Sequence, residues 1–169
     1  MREWTTERLR LEPIRREHAA ELWQLHQDDG IAAWWGGKWT HEYAEEWATI
    51  FERAWARDGV SKWIAYDRAN GSLVGRGGLS RAPVDGEVRL EIGWTVYERC
   101  WGQGYATEIG RAGLDFAFGE LGDTEVVAFT EPHNLRSRAV MERLGMEYRR
   151  EITHHDGPYV LYSIDAPTD

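Results

Sequence analysis

The 169-residue chain contains a single cysteine, Cys100, and has no long run of apolar residues. One cysteine excludes an internal disulfide framework and fits a reducing compartment, so a cytoplasmic location is expected. The first residues include no apolar segment of the secretory kind, so no signal peptide is predicted. No stretch is apolar enough for a membrane span, and no membrane partner is expected.

Basic residues are also scarce. Lys and Arg number 20 against 29 Asp and Glu, which gives a formal net charge of −9. A nucleic-acid-binding surface needs a basic field, so nucleic acid is excluded as a partner, whereas a cationic amine remains compatible. With 42% hydrophobic and 29% charged residues, the composition predicts one folded enzyme domain over residues 1–169, either monomeric or homodimeric.

No Cys/His cluster has the spacing of a zinc site. His154, His155 and Asp156 are adjacent and could hold a metal ion, but histidines in a hairpin turn are more often solvated loop residues. No metal is therefore predicted.

Hydrophobic periodicity predicts a mixed α/β (α+β) order of elements without a linker or internal repeat. Thr40 is placed as the N-cap of the second helix. The predicted strands are 9–14, 62–67, 72–80, 88–96, 125–130, 146–152 and 159–165, and the predicted helices are 18–27, 43–57, 107–118 and the segment after Asn134.

The most informative segment is Arg99-Cys100-Trp101-Gly102-Gln103-Gly104-Tyr105-Ala106, between a predicted strand and a predicted helix. Two glycines at such a turn allow a ligand to approach the backbone closely. The amides at the start of the helix have no intrahelical partners, and the helix dipole favours an anion there. The segment therefore predicts a phosphate-binding turn, the alternative being a glycine-rich turn that only reverses the chain.

Two common phosphate motifs are excluded. A dinucleotide fingerprint needs a third glycine where Thr107 stands, and the Gly-Lys-Ser/Thr of a P-loop is absent. The remaining pattern, Arg-x-x-Gly-x-Gly-x-Ala, resembles the pyrophosphate loop of the GNAT N-acetyltransferase superfamily, which binds acetyl-coenzyme A.

Two further segments carry the same resemblance. The run from Asn134 to Met146 is similar to the family's Asn-x-x-Ser-x-x-x-x-x-x-Leu-Gly-Phe segment, with Met146 in place of Phe and Gly145 at a helix C-terminus. The run from Trp4 to Pro13 resembles the start of the ribosomal-protein N-acetyltransferase branch, called RimJ/RimL-like. The chain is thus identified as a member of this superfamily and, by the second segment, of this branch.

The resemblance implies the GNAT fold, a mixed and mostly antiparallel sheet flanked by helices, whose fourth and fifth strands splay apart to admit pantetheine. Glu108 would point away from the phosphates. Arg136 and Arg143 would either contact the phosphates or lie on a solvated face. The residues implied to bind acetyl-CoA are Trp94, Thr95 and Val96 for pantetheine, and Arg99, Trp101, Gly102, Gln103, Gly104, Tyr105, Ala106, Asn134 and Arg138 for the rest.

The catalytic residues implied by the family depart from its usual pattern at one position. Met141 stands where a tyrosine acid is usual, so Ser137 is the candidate that stabilises the departing thiolate. Glu91 lies where related enzymes place a carboxylate base, although a polar strand position explains it equally well. If Glu91 is not the base, the remaining candidates are a water molecule held by backbone carbonyls and the hairpin residues His154, His155 and Asp156. Cys100 falls at a variable motif position and is not expected to be a nucleophile.

Ten tryptophans are present. Trp34, Trp35 and Trp39 cluster between the first two predicted helices, where related enzymes build the acceptor pocket, so they are predicted either to line it or to join the core. Trp47 and Trp55 are eight residues apart on one helical face and are predicted to pack in the core.

The resulting functional prediction is an N-acetyltransferase that moves the acetyl group of acetyl-CoA to a primary amine, on a protein N-terminus or a small molecule, by direct attack in a ternary complex. Two alternatives remain open at this point. One is a non-catalytic acyl-CoA-binding regulatory module, and the other is an acyltransferase with a larger acyl donor or a hydroxyl acceptor.

Overall fold

The computed structural model describes residues 3–168. Its centre is an eight-stranded sheet with the order β1-β2-β3-β4-β5-β6-β8-β7. The strands are β1 (Trp4–Thr5), β2 (Leu9–Pro13), β3 (Lys62–Asp67), β4 (Leu73–Val84), β5 (Glu87–Val96), β6 (Glu125–Thr130), β7 (Glu147–His154) and β8 (Gly157–Asp165).

Five α-helices connect and cover these strands: α1 (Ala19–Leu25), α2 (Asp29–Ala32), α3 (His41–Asp58), α4 (Tyr105–Asp115) and α5 (Leu135–Arg143). A π-helical turn, Phe116–Glu120, continues α4. As predicted, Thr40 caps α3, since its hydroxyl accepts the Tyr43 N–H. Gly59 ends that helix with φ at 68°, a left-handed conformation that costs glycine nothing.

Strands β5 and β6 run parallel and form one residue pair, Glu91 with Val127, whereas the other neighbouring strands pair antiparallel along their lengths. Beyond that pair the two strands separate, so the sheet opens towards the carboxyl end of β5. The predicted fold class, including the splayed strands, is confirmed. In the present numbering they are β5 and β6, because the two-residue β1 precedes the predicted first strand.

Helices cover the two faces of the sheet with separate apolar clusters. On one face α1 and α3 pack against β2 and β3, and the cluster includes Ile14, Leu22, Trp39, Ala48, Phe51 and Ile64. On the other face α4 and α5 pack against β4, β5 and β6, and that cluster includes Leu79, Ile92, Leu114, Val126, Met141 and Leu144. Full burial of each large apolar side chain contributes roughly 1.5–3 kcal/mol.

The structure departs from the predicted elements in short segments. Helix α2 was missed because four residues are fewer than the pattern needs to reveal a period. Asp28 begins it, as its carboxylate accepts the Ile31 N–H at 3.1 Å. Trp55 is buried as predicted, against Trp63 in the cluster under α4, whereas Trp47 packs against the cluster under α1. The two tryptophans therefore contribute to different clusters.

Candidate active site

The predicted phosphate-binding turn lies at the end of the opened strand. Gly102 and Gly104 adopt left-handed conformations with φ at 71° and 82°. The first backbone bond of α4 runs from the Glu108 N–H to the Gly104 carbonyl, at 3.0 Å. The amides from Gly104 to Thr107 therefore have no intrahelical partner and are available to an anion. Residues 102–104 are exposed to solvent.

The N-terminal arm braces this turn from outside. The Glu108 carboxylate accepts hydrogen bonds from Thr6 Oγ1 at 2.6 Å and Arg8 Nε at 2.7 Å. Burial alone would raise the pKa of Glu108, but these hydrogen bonds outweigh it and lower the pKa. Arg8 also donates from Nη1 to the Gln103 carbonyl at 2.8 Å. Sequence reasoning missed Arg8, although it stands inside the Trp4 to Pro13 segment that carried the branch resemblance.

Three side chains of the turn are engaged with the protein itself. Arg99 donates to the Leu73 carbonyl at 2.9 Å and lies over the Tyr97 ring. Gln103 Nε2 donates to the Arg99 carbonyl, and Trp101 Nε1 donates to the Val96 carbonyl, both at 2.9 Å. These side chains hold the turn in shape and leave its backbone amides unengaged by them.

The opened edge of β5 leads from the turn towards Glu91. Trp94 is half-buried and Thr95 and Val96 are buried, and their backbones have no pairing with β6. Gly93 leaves room beside Glu91, because a Cβ there would lie 2.8 Å from Glu91 Oε1. A glycine within a strand often marks a close approach by a ligand or another backbone.

Helix α5 forms the other wall of the opening. The Asn134 side chain caps it by accepting the Ser137 N–H at 3.2 Å. Arg138 donates hydrogen bonds within the protein, from Nε to Tyr162 Oη at 3.1 Å and from Nη1 to the Pro132 carbonyl at 2.9 Å. Arg136 instead lies 3.9 Å above the Trp101 ring, which joins the start of α5 to the turn.

A buried ionic cluster lies at the point where β5 meets β6. Glu91 Oε2 accepts hydrogen bonds from Lys62 Nζ at 2.9 Å and Ser80 Oγ at 2.8 Å. Burial lowers the pKa of Lys62, and the nearby Glu91 carboxylate opposes that shift. The pKa of His154 is lowered, first by burial and then by His155, and the Glu91 carboxylate opposes that shift. The Glu91 carboxylate is therefore close enough to His154 to act on the charge of its ring.

The three predicted pocket tryptophans occupy different environments. Trp34 is 40% exposed and stacks on His133, which follows β6, with the ring centroids 5.2 Å apart. Trp35 is 44% exposed. Trp39 is 5% exposed, because its ring stacks on buried His26 at 3.5 Å. Trp34 and Trp35 are thus exposed and remain candidates for lining the acceptor pocket, whereas Trp39 belongs to the core beneath them.

Comparison with known proteins decides the family. Residues 8–147 match the family described as the acetyltransferase (GNAT) domain. The chain belongs to the GNAT family. It is 32% identical to the uncharacterised protein YkkB of Bacillus subtilis, across 93% of this chain and 92% of that protein. It is also 32% identical to the FsC-acetyl coenzyme A-N(2)-transacetylase of Aspergillus fumigatus, across 85% of this chain and 64% of that enzyme's length.

Solved structures share the GNAT fold at lower identity. A GNAT-family acetyltransferase from Bordetella pertussis has a TM-score of 0.86 and 21% identity, with 96% of this chain and 99% of that chain covered. A ribosomal-protein-serine acetyltransferase from Vibrio cholerae has a TM-score of 0.78 and 20% identity, with 97% of each chain covered. The predicted superfamily is confirmed, and the fold is shared with members of the predicted ribosomal-protein branch.

Family membership makes this chain an acetyltransferase that uses acetyl-CoA. Among residues 3–168, no three His, Cys, Asp or Glu side chains lie close enough to form a metal site. None of the helices that the structure describes is both long and apolar enough to cross a membrane.

Proposed function

We propose that this GNAT enzyme transfers the acetyl group of acetyl-CoA directly to a primary amine, with both substrates bound together. The observation that carries the proposal is the opening between β5 and β6, which has unpartnered amides at one end and Glu91 at the other. Such an opening lets an extended thioester lie along a free strand edge, as an added strand would.

The backbone supplies most of the cofactor site in this proposal. The edge from Trp94 to Val96 pairs with pantetheine, and the amides from Gly102 to Ala106 bind the pyrophosphate. Arg99 shapes the turn through the Leu73 carbonyl and adds positive charge nearby. Arg138 acts indirectly, since it ties α5 to Tyr162. The two cationic side chains thus organise the site rather than carry its affinity.

Glu91 is the proposed general base. Its Oε2 atom accepts hydrogen bonds from Lys62 and Ser80, whereas Oε1 accepts none from the described residues and lies over Gly93, where the missing Cβ makes room for it. Oε1 can therefore accept the amine proton, directly or through water, as the amine attacks the thioester. His154 is the second candidate, because its lowered pKa leaves a neutral imidazole that can accept a proton.

Departure of the thiolate needs a donor on the opposite wall. Asn134 orients the first turn of α5 and with it Ser137. The Ser137 hydroxyl has the wrong pKa for an efficient acid but can donate a hydrogen bond to the developing charge. Met141 cannot take this role, since its side chain is buried and has no proton to give.

Trp34 and Trp35 form the proposed entrance for the acceptor. Their exposed rings stand on the segment after α2 and present aromatic faces to which an amine-bearing molecule can bind. The transacetylase relative from Aspergillus, named for an N(2)-transfer, supports a nitrogen acceptor.

The test is release of the CoA thiol from acetyl-CoA, followed with a thiol reagent across a panel of primary amines, peptide N-termini and matched alcohols. Amine-dependent release that alcohols do not support is the expected result. A series of longer acyl-CoA donors should react more slowly than acetyl-CoA. Thiol release with alcohols alone, or with long-chain acyl-CoA alone, would contradict the proposal and indicate an acyltransferase with a hydroxyl acceptor or a larger acyl donor. Cofactor binding without any thiol release would indicate a non-catalytic binding module.

A further inference from the structure

Arg76 lies in the middle of β4, on the face that α1, α2 and α3 cover, and is 4% exposed. Its Nε atom donates to His26 Nε2 at 3.2 Å, and its Nη2 atom is buried without a hydrogen-bond partner. Within residues 3–168 it forms no ion pair with a carboxylate, whereas the neighbouring Lys62 is paired with Glu91. Arg76 is therefore a buried cation without a counter-ion.

Aromatic rings replace the missing carboxylate around this cation. The guanidinium carbon lies 4.8 Å from the centre of the Trp35 ring, 5.5 Å from Trp39 and 5.6 Å from Phe51. Burial lowers the pKa of Arg76 to about 10, opposed by Glu91, so the group remains charged at neutral pH. Cation–π contacts recover only a part of what removal from water costs a charge.

His26 shows what kind of ligand is missing. Burial, helped by Arg76, lowers the pKa of His26 to about 2, so the ring is neutral. Because Nε2 accepts the Arg76 hydrogen bond, the ring proton is on Nδ1, and Nδ1 is buried without a partner. Trp39 Nε1 is also buried and unpartnered.

Among the residues that the structure describes, three buried donors of this cluster therefore lack an acceptor: Arg76 Nη2, His26 Nδ1 and Trp39 Nε1. A carboxylate is a group that only accepts, and it offers two oxygens with a negative charge. Arg76 makes this cluster positively charged, whereas the whole chain carries a net charge of −9.

Trp35 separates this cluster from solvent. It is 44% exposed on its outer side, and its ring meets His26 edge-on with centroids 5.5 Å apart. Gly36 and Gly37 follow it with positive φ, and open space surrounds the position that a Cβ would take at either glycine. A ligand can reach Arg76 only if Trp35 moves, and the two glycines give the segment that follows it the backbone freedom for that movement.

The cluster also lies beside the proposed reaction centre. Arg76 pairs with Thr95 and Ser80 pairs with Glu91 in the same antiparallel ladder. Four residues along a strand span about 13 Å, and the Glu91 carboxylate lies near enough to Arg76 to act on its pKa. One small molecule can reach both groups.

We propose that the amine acceptor carries a carboxylate and that Arg76 binds it, with His26 and Trp39 as further donors and the amine directed to Glu91. The inference rests on the proposed function and narrows its acceptor to small molecules of the amino-acid class. It assigns Arg76 to acceptor specificity, while the transfer chemistry remains with Glu91 and the thioester.

Matched substrates test it. Each α- or ω-amino acid is compared with the amine that lacks its carboxyl group, by kcat/KM for thiol release and by calorimetry in the presence of CoA. The wild-type enzyme should prefer the carboxylate-bearing member by about ten- to a hundredfold, the effect of a charge-assisted hydrogen bond. Arg76→Met should abolish that preference, because kcat/KM for the carboxylate-bearing member falls far more than kcat/KM for the carboxylate-free member. Arg81→Met, on the same strand but paired with Asp123 at the surface, is the control.

Trp39→Phe keeps an aromatic side chain but removes the Nε1 donor, so it should lower kcat/KM for the carboxylate-bearing member several-fold more than for its carboxylate-free counterpart. This variant decides the question if Arg76→Met does not fold. Absence of a carboxylate preference in the wild type, or an equal loss for both members of a pair in the variants, would overturn the inference. No turnover with any amine would contradict the proposed function instead, and calorimetry would still report the carboxylate preference.

Discussion

The ammonium of Lys62 lies 2.9 Å from the carboxylate of Glu91, across the intervening strand β4. Their side chains are 10% and 15% exposed, so both charges are largely removed from water. The pair stands at the last point where β5 and β6 are joined, since Glu91 is the residue paired with Val127. The ion pair therefore stabilises the sheet at this junction and also fixes the orientation of the Glu91 carboxylate, the proposed base.

Lys62→Met should lower the free energy of unfolding by about 3–5 kcal/mol, because it leaves a buried carboxylate without its partner. Adding Glu91→Leu should restore much of the loss, since two apolar side chains need no counter-ion. Urea unfolding followed by circular dichroism measures both. Arg81→Met removes a surface ion pair and should cost no more than about 1 kcal/mol. A similarly small loss for Lys62→Met would show that the pair is solvated.

Gly104→Glu should abolish acetyl-CoA binding in calorimetry. The side chain brings a negative charge to the amides that receive the pyrophosphate, on a residue with φ at 82°. Gly86→Glu is the matched control, since Gly86 has φ at 81° in the β4–β5 hairpin and carries the same backbone strain. If both variants bind the cofactor like the wild type, the amides of this turn are not its phosphate site.

Trp35→Ala and Trp39→Ala should affect different properties. Trp35 is half exposed, so its loss should raise the KM for the amine several-fold to tens-fold and leave the KM for acetyl-CoA unchanged. Trp39 is buried, so its loss should lower the free energy of unfolding by about 3–5 kcal/mol. Steady-state kinetics and urea unfolding on both variants separate the two roles. The reverse pattern would place Trp35 in the core.

Ser137→Ala should lower kcat about ten- to a hundredfold with little change in acetyl-CoA affinity, because one hydrogen bond to the leaving thiolate is lost. Ser72→Ala, in the exposed β3–β4 hairpin, should have no effect. A large rise in the KM for acetyl-CoA would instead assign Ser137 to cofactor binding.

Glu91→Gln should lose activity that returns in part as pH rises, since a larger fraction of the amine is then already deprotonated. His154→Gln is the comparison, because it removes the second candidate base and leaves Glu91 in place. The measurement is the pH profile of kcat/KM for the wild type and both variants. If Glu91→Gln keeps the wild-type rate and acidic limb while His154→Gln loses them, His154 is the base.

His26 should make the fold less stable in mild acid. Its pKa is about 2 in the folded chain, against 6.5 as the ordinary value. The unfolded chain therefore binds more protons between these values, and the stability falls as pH decreases through that window. From pH 7 to pH 5 the contribution is about 2 kcal/mol. The wild type should lose this amount relative to His26→Gln in urea unfolding, while His133→Gln, at an exposed position, should follow the wild type.

The elements with strong local signals were predictable. The predicted strands 62–67 and 125–130 have the observed bounds, and Thr40 caps α3 as predicted. Helix α2 and the far end of β4 were not predicted, since a four-residue helix shows no period and the β4–β5 hairpin is held by pairing between strands. Among the site residues, Arg8, Lys62 and Arg76 carry no local motif that separates them from other basic residues.

The sequence by itself determined the two-glycine turn, the helix after it and the family to which the chain belongs, because each depends on residues close together in the chain. Only the tertiary structure decided that Glu91 is paired with Lys62 and that Trp39 is buried beneath Trp35. It likewise decided that Arg76 has no carboxylate partner among residues 3–168. Such properties depend on which strands are neighbours and on how much water reaches a charge, and both arise from contacts between residues far apart in the chain.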